Sequence, residues 1–228
     1  MNVTLDRFKA DQRPEAAALA AGNRHGVEMV VLETCRRDSA GCSNALIDTA
    51  PWRAALEDWL SRDQVSERLR RRIVDDRMPY HHKLRLVVAG CPNGCSRPQI
   101  ADLALTGFVR PSFNLDACSA CKTCAEACPD QAIVVEDELK WNTNLCQGCL
   151  ACGRVCPDGA VSLTRPGARI LMGGKLGRHP RLALIIGEVH EPTEAVRYFA
   201  EAVDEYIDNA APGERFAAWR SRVEKGTS

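Results

Sequence analysis

Hydrophobic positions along the chain change their period several times, and each change marks an element. The compact apolar run "VEMVVLE" (27–33) predicts a buried strand that ends just before Cys35. Residues 44–75 switch to helical spacing, with Leu46, Trp52, Leu56, Trp59, Leu60, Leu69 and Ile73 as core positions. "KLRLVVAG" (83–90) predicts a second strand running into Cys91, and "IADLALTGFV" (100–109) a third. "ARILMGG" (168–174) returns to strand. "EPTEAVRYFAEAVDEYIDN" (191–209) sets Val196, Phe199, Val203 and Ile207 on one stripe of an amphipathic helix, and a short last helix follows Gly213. Near the N-terminus, Pro14 and Gly22 bracket a further helix over 14–21.

Between 111 and 166 the apolar periodicity gives way to cysteine. "CSACKTCAEACPDQAIVV" (118–135) aligns with "CQGCLACGRVCPDGAVSL" (146–163), a repeat with a period of 28 residues. Each copy is C-x2-C-x2-C-x3-C-P followed by a β-rich tail, the two-cluster bacterial ferredoxin pattern in which the fourth Cys of each run ligates the other cluster. One 4Fe–4S cluster is therefore assigned to Cys118, Cys121, Cys124 and Cys156, and a second to Cys128, Cys146, Cys149 and Cys152. C-x2-C also suits tetrahedral zinc, but zinc has no use for the duplicated C-x3-C-P. Pro111 and "RPG" (165–167) bound this insert. The expected organisation is thus a ferredoxin domain at 111–166 inside a discontinuous host domain, 1–110 with 167–228.

Twelve cysteines are present, so Cys35, Cys42, Cys91 and Cys95 remain, the number that a third cube requires. Both pairs follow strand ends, where α/β sheets place ligand sites, and they come from distant loops that only a folded scaffold can join. Composition agrees with a globular chain: 45% hydrophobic, 26% charged, formal net charge zero. Zero net charge gives no overall field to draw nucleic acid or an anionic membrane. "MNVTLDRFKADQRPEAAALAAG" lacks the apolar core of a secretory signal, and no run approaches the roughly 18 apolar residues of a membrane span. The expectation is a cytoplasmic protein whose cysteines are metal ligands and not disulfides.

"HKLRLVVAGCPNGCSRPQIADLALTG" (82–107), "ETCRRDSAGCSNALIDT" (33–49), "GGKLGRHPRL" (173–182) and "PGERFAAW" (212–219) resemble the sirohaem-binding half of the sulfite and nitrite reductase family. Within it, the resemblance is to dissimilatory and anaerobic sulfite reductase subunits with an inserted ferredoxin domain. It implies an α+β fold, a sirohaem-domain-like α/β sandwich carrying a dicluster ferredoxin insert. It also implies that Cys35, Cys42, Cys91 and Cys95 hold a 4Fe–4S cluster, with Cys95 as the axial ligand bridging that cluster to sirohaem. The cofactors expected are therefore three 4Fe–4S clusters and sirohaem. The first pair here is C-x6-C, one residue longer than the family's C-x5-C.

Sirohaem carries many carboxylates and the implied substrate is an oxyanion, so both need fixed cations. Candidates near the substrate are Lys83, Arg85, Arg97 and Lys175; Arg36 and Arg37 are candidates for sirohaem. Lys83 and Arg85 alternate on a strand and share a face. Gly173, Gly174 and Gly177 allow close backbone approach. About 25 residues precede Val27, so the resemblance implies that a homodimer or a partner reductase subunit is needed to complete the active site. An electron-donor protein and an anoxic cell are the further expectations. The function implied is multi-electron reduction of sulfite or nitrite; the alternative is a non-catalytic electron-transfer subunit whose reductase-like domain lacks sirohaem. "RLRRR" (68–72) reads as a solvated helix face, and His81 and His82 as structural or surface residues.

Overall fold

The computed structural model describes residues 28–35, 41–73 and 82–226. The helix expected over 14–21, together with Arg36, Arg37 and His81, lies outside the described residues. In chain order the strands are β1 (Val30–Thr34), β2 (Leu84–Ala89), β3 (Leu103–Phe108), β4 (Pro111–Phe113), β5 (Ile133–Val135), β6 (Leu139–Trp141), β7 (Val161–Leu163), β8 (Gly167–Met172) and β9 (Leu184–Val189). The α-helices are α1 (Thr49–Arg62), α2 (Val65–Arg70), α3 (Thr123–Glu126), α4 (Ala151–Val155), α5 (Pro192–Asn209) and α6 (Phe216–Gly226).

A five-stranded mixed sheet in the order β1-β2-β3-β8-β9 forms the body. β1, β2 and β3 run parallel, and β8 and β9 are antiparallel additions. The period of two along each strand sorts its side chains by face. Leu84, Leu86, Val88, Leu103, Leu105, Ile170 and Met172 join α1, α2, α5 and α6 in the main core. Trp59 and Trp219 are each 1% exposed within it. An aromatic of this size hides about 150–250 Å², a gross gain of roughly 4–6 kcal/mol at about 25 cal/mol per Å². The opposite face carries the smaller set Val87, Ala104 and Leu171, packed with Ala101. Arg85, Thr106 and Arg169 share that face by register.

The helical stretch expected over 44–75 is two helices, because Gln64 adopts a left-handed backbone (φ 49°) that stops α1 at Asp63. The expected strand over 100–109 begins only at Leu103, after a 3-10 turn at Pro98–Ile100. β9 is an edge strand absent from the sequence reading; Leu184 and Ile185 in it are exposed. The arginine run departs from a solvated face. Arg70 is buried, Arg68 pairs with Asp204 at 2.7 Å, and Arg72 donates to the Ala210 and Ala211 carbonyls while its guanidinium lies over the Tyr206 ring. For Arg72 the reason is local: the C-terminal end of α5 presents unsatisfied carbonyls, which attract cations, while Arg71 stays exposed.

The segment 111–166 leaves this sheet after β3 and returns to it at β8. It pairs β4 with β7 and β5 with β6, and gathers its own small core of Cys124, Ile133, Val135 and Cys152. Among the described residues, no helix is long and apolar enough to cross a membrane.

Gly107 lets β3 approach the end of β2: a Cβ there would stand 2.3 Å from the Gly90 carbonyl oxygen. Gly107→Ala is expected to destabilise the fold by about 1–3 kcal/mol through overpacking. Urea denaturation measures it, and a change below about 0.5 kcal/mol, the size of a neutral surface substitution, would show that the strands can yield.

Candidate metal centre

Cys35 stands immediately after β1. Its amide donates to the Val88 carbonyl at 3.1 Å, extending the parallel ladder by one step, and the Gly90 amide donates to Cys35 Sγ at 3.1 Å. Cys91 therefore begins its loop beside Cys35. The Gly90 carbonyl accepts from the amides of Leu46 (2.8 Å) and Ile47 (3.3 Å), which ties the Cys42 loop to the same point. Gly94 takes φ 59°, and a Cβ there would meet Gln99 Nε2 at 2.6 Å, so the Cys91–Cys95 turn needs glycine. Cys91 is buried, and burial pushes its thiol pKa above the usual value; Cys35, Cys42 and Cys95 lie close enough to push it further. The bonds at Gly90 thus bring the Cys35, Cys42 and Cys91 loops to one place, and Cys95 is exposed at the end of its turn.

In the insert, Cys118, Cys121, Cys124 and Cys156 line one hollow of about 370 Å³, counting its open mouth. Burial raises the Cys124 thiol, with Cys118 and Cys121 adding to the effect. Exposed Cys121 goes the other way, because the Thr123 hydroxyl, 3.3 Å from its sulfur, and the Thr123 amide favour the thiolate. Burial pushes the Cys152 thiol up to about 11, reinforced by Cys146 and Cys149. Cys128 Sγ accepts from the Ala132 amide at 3.3 Å. The Ala132 carbonyl accepts from Asn142, whose own carbonyl accepts from Cys146, so a short bonded path links Cys128 to the second run.

Among the described residues, no three Cys, His, Asp or Glu side chains converge as ligands of one ion. A 4Fe–4S cube sets its four thiolates wider apart than a tetrahedral zinc ion does, and sets of four cysteines are the donor chemistry it takes.

A second hollow, about 640 Å³ with its mouth, opens on the small-residue face of the sheet. Lys83, Arg85, Lys175 and Arg215 line it, together with Asp102 and Gly174. Lys83 and Arg85 meet there as their alternation implies. Arg85 gives its guanidinium to Glu33 (3.1 and 3.3 Å) and to the Ser96 carbonyl (3.3 Å), next to Cys95. Arg97 is itself exposed, with φ 59°, and does not line this hollow. Lys175 is held in a two-way backbone bridge with Arg181, both bonds 2.9 Å. Gly174 presses against the crossover, where a Cβ would stand 2.6 Å from the Gln99 and Ala101 carbonyls. Ser96 Oγ is buried without a partner, an unsatisfied group of the kind a ligand satisfies. The cations of this hollow are the chemistry that a polycarboxylate such as sirohaem takes.

Asp102 and Arg215 were missed by the sequence reading. The signal for Asp102 was a lone acid heading the apolar strand "LALTGF"; Arg215 lay unremarked inside "PGERFAAW". Asp102 Oδ2 accepts from the Arg85 amide at 2.9 Å, and the Ala217 amide adds a second bond. Burial nevertheless raises its carboxyl to about 6, against those bonds and the charges of Arg215 and Arg85.

Fold and cysteine pattern together define an iron–sulfur protein of mixed α+β architecture. The chain belongs to the nitrite and sulphite reductase 4Fe-4S domain family, whose pattern matches residues 33–224. It is 37% identical over 168 residues to a coenzyme F420-dependent sulfite reductase of Methanocaldococcus jannaschii, covering 73% of this chain and 23% of that protein. It is 40% identical over 55 residues, 24% of this chain and 16% of the other, to a component of the anaerobic sulfite reductase of Salmonella typhimurium. Its fold is similar to that of dissimilatory sulfite reductase I, with TM-score 0.54 and 19% identity over 84% of this chain and 49% of that one. The matched stretch thus spans under a quarter of these two sequence relatives.

Because the Asp102 carboxyl is raised when folded, the native state keeps a proton that the unfolded chain releases. Stability from this group is full below the unfolded value near 4 and is lost as pH rises through about 6, on the order of 3 kcal/mol in all. Asp102→Asn, which cannot ionise, is expected to gain on the wild type between about pH 4.5 and pH 7 in anaerobic chemical denaturation. An equal difference at both pH values would refute the assignment.

Proposed function

We propose that this chain is the cluster- and haem-bearing half of a sulfite reductase-type oxidoreductase, with sulfite or nitrite as substrate. The reading is supported above all by the meeting of Cys35, Cys42, Cys91 and Cys95 beside a hollow lined by Lys83, Lys175 and Arg215. The names of the relatives, sulfite reductases throughout, point the same way. Residues 1–110 and 167–228 form the host domain and hold one cube; residues 111–166 form the ferredoxin domain and hold two. The active site is completed by a second copy of the chain or by a partner reductase subunit, and an electron-donor protein supplies it.

When bound, sirohaem supplies the iron that takes the substrate atom being reduced, and the cubes supply electrons one at a time. Cys95, exposed at the turn, would help hold the host cube and would offer its thiolate to sirohaem. Lys83, Lys175 and Arg215 attract and orient oxyanions and carboxylates entering the hollow. Glu33 fixes the Arg85 guanidinium against the Ser96 carbonyl, so its main work is to brace the Cys95 turn. Asp102 braces the same hollow by accepting from the Arg85 and Ala217 amides.

Anaerobically reconstituted protein should show a sharp Soret band and a red-region haem band above the broad absorption of its clusters. Cys95→Ser should remove the coupling of haem and cluster while the EPR spin count of the other two clusters holds. A spectrum with only the broad brown shoulder would leave an electron-transfer subunit in place of a reductase.

A further inference from the structure

The two cysteine runs of the insert are not equivalent in where they sit. The run from Cys146 to Cys152 and the helix α4 that continues it are fastened to the rest of the chain at three points. Val109 donates its amide to the Gly148 carbonyl at 3.0 Å, and Gly148 (φ +68°) comes so near that a Cβ would stand 2.6 Å from the Val109 oxygen. Arg169 of β8, 6% exposed, donates to the Gln147 carbonyl at 3.0 Å and the Cys146 carbonyl at 3.2 Å. Arg154 of α4 reaches across to the Asn44 side chain at 2.8 Å and the Ser43 carbonyl at 2.6 Å. Ser43 and Asn44 directly follow Cys42, so this last fork touches the host thiolate loop itself.

The run from Cys118 to Cys124 faces away. Its hollow is lined by residues between Phe113 and Val161, all of the insert. Ser119 bonds to Asp158 and Cys121 to Thr123, and Cys121 is exposed.

We propose an order for the electron path: electrons enter at the cluster of Cys118, Cys121, Cys124 and Cys156, pass to that of Cys128, Cys146, Cys149 and Cys152, and reach the host cube on the Cys42 side, with Arg154 as the positioning residue for the last transfer. The order rests on the three-cluster reading above. Each transfer moves one electron: the donor cube is oxidised by one, the acceptor reduced by one, and no bond or proton changes place. The first electron comes from a one-electron protein donor of the ferredoxin class. Tunnelling falls off exponentially with separation, so a fork that holds α4 against the residues after Cys42 sets the rate of the final step.

The test is rapid-freeze EPR during reduction of the anaerobic, fully loaded protein by a reduced ferredoxin. Arg154→Ala is expected to slow appearance of the reduced host-cube signal severalfold, because without the fork α4 is free to draw back from the residues after Cys42. The first two clusters should reduce at the wild-type rate, and the magnetic interaction between second and host cubes should weaken. Arg154→Lys, keeping the charge without the fork, should fall between. If Arg154→Ala loses iron, Asn44→Ala carries the same kinetic expectation. Cys118→Ser, which removes the first cube, should slow reduction of the second. A wild-type host-cube rate in an iron-replete Arg154 or Asn44 variant would overturn the role of the fork, and a wild-type second-cube rate in Cys118→Ser would overturn the entry point. Iron short of three cubes in the wild type would instead overturn the three-cluster reading, and the order with it.

Discussion

The parallel pairing of β1 with β2 is the constraint on which the site depends. Val30 stands opposite Leu84 and Thr34 opposite Val88, and the next step of the same ladder is the bond from the Cys35 amide to Val88. Cys35 and Cys91 come from segments more than fifty residues apart, yet this register delivers them to one place. A slip of β1 by one residue would turn Glu33 into the helix-packed core and push Leu32 out, so the apolar face enforces the register that the cysteines need. The Gly90 carbonyl then does for Cys42 what the ladder does for Cys35, by accepting the Leu46 and Ile47 amides.

The two faces of the sheet are built for different tasks. Parallel strands are normally covered on both sides, and one side here is conventional, with Trp52, Leu56, Trp59, Phe199 and Trp219 laid over Leu86, Leu105 and Ile170. The other side is covered by irregular chain: the 96–102 crossover, the bridged loop at Lys175 and Arg181, and part of the insert. Irregular cover leaves hollows, and small strand residues such as Ala104 leave depth beneath them. Charge on that face is held in pairs, with Glu33 on Arg85 and Glu188 on Arg169. The hollow beside Lys83 and Arg85 results because the covering chain does not pack like helices.

Much of this was legible in the sequence, and what was not has physical reasons. Cysteine spacing is rigid chemistry, so the division of the thiols into a duplicated run of eight and a separate four is read from the sequence alone. Long periodic segments were legible for the same reason; the stripe of Phe199 and Val203 faces the core as its spacing implies. The break at Gln64 was not, because a left-handed residue other than glycine leaves no local signature. β9 hid because its exposed Leu184 and Ile185 remove the alternation by which a half-buried strand is known. Asp102 and Arg215 hid because their meeting is tertiary: one heads β3, the other precedes α6, and nothing in either segment points to its partner.

Arg169 shows why the insert is fixed by polar contacts and not by a greasy patch. Burying a guanidinium carries a desolvation cost that an apolar side chain at the same site would avoid. Burial also works against the Glu188 carboxyl, yet Arg110 and Arg169 hold it below the usual value, so the pair is satisfied on both sides. Leucine at this position would fill space but leave the Cys146 and Gln147 carbonyls without their donor. It would also leave the contact free to slide, because apolar surfaces attract without direction. Hydrogen bonds from a planar fork fix distance and angle together. Such a fork fixes the geometry between the segment 111–166 and the sheet at the expense of the last increment of stability, and the buried arginine is where the sequence makes that exchange.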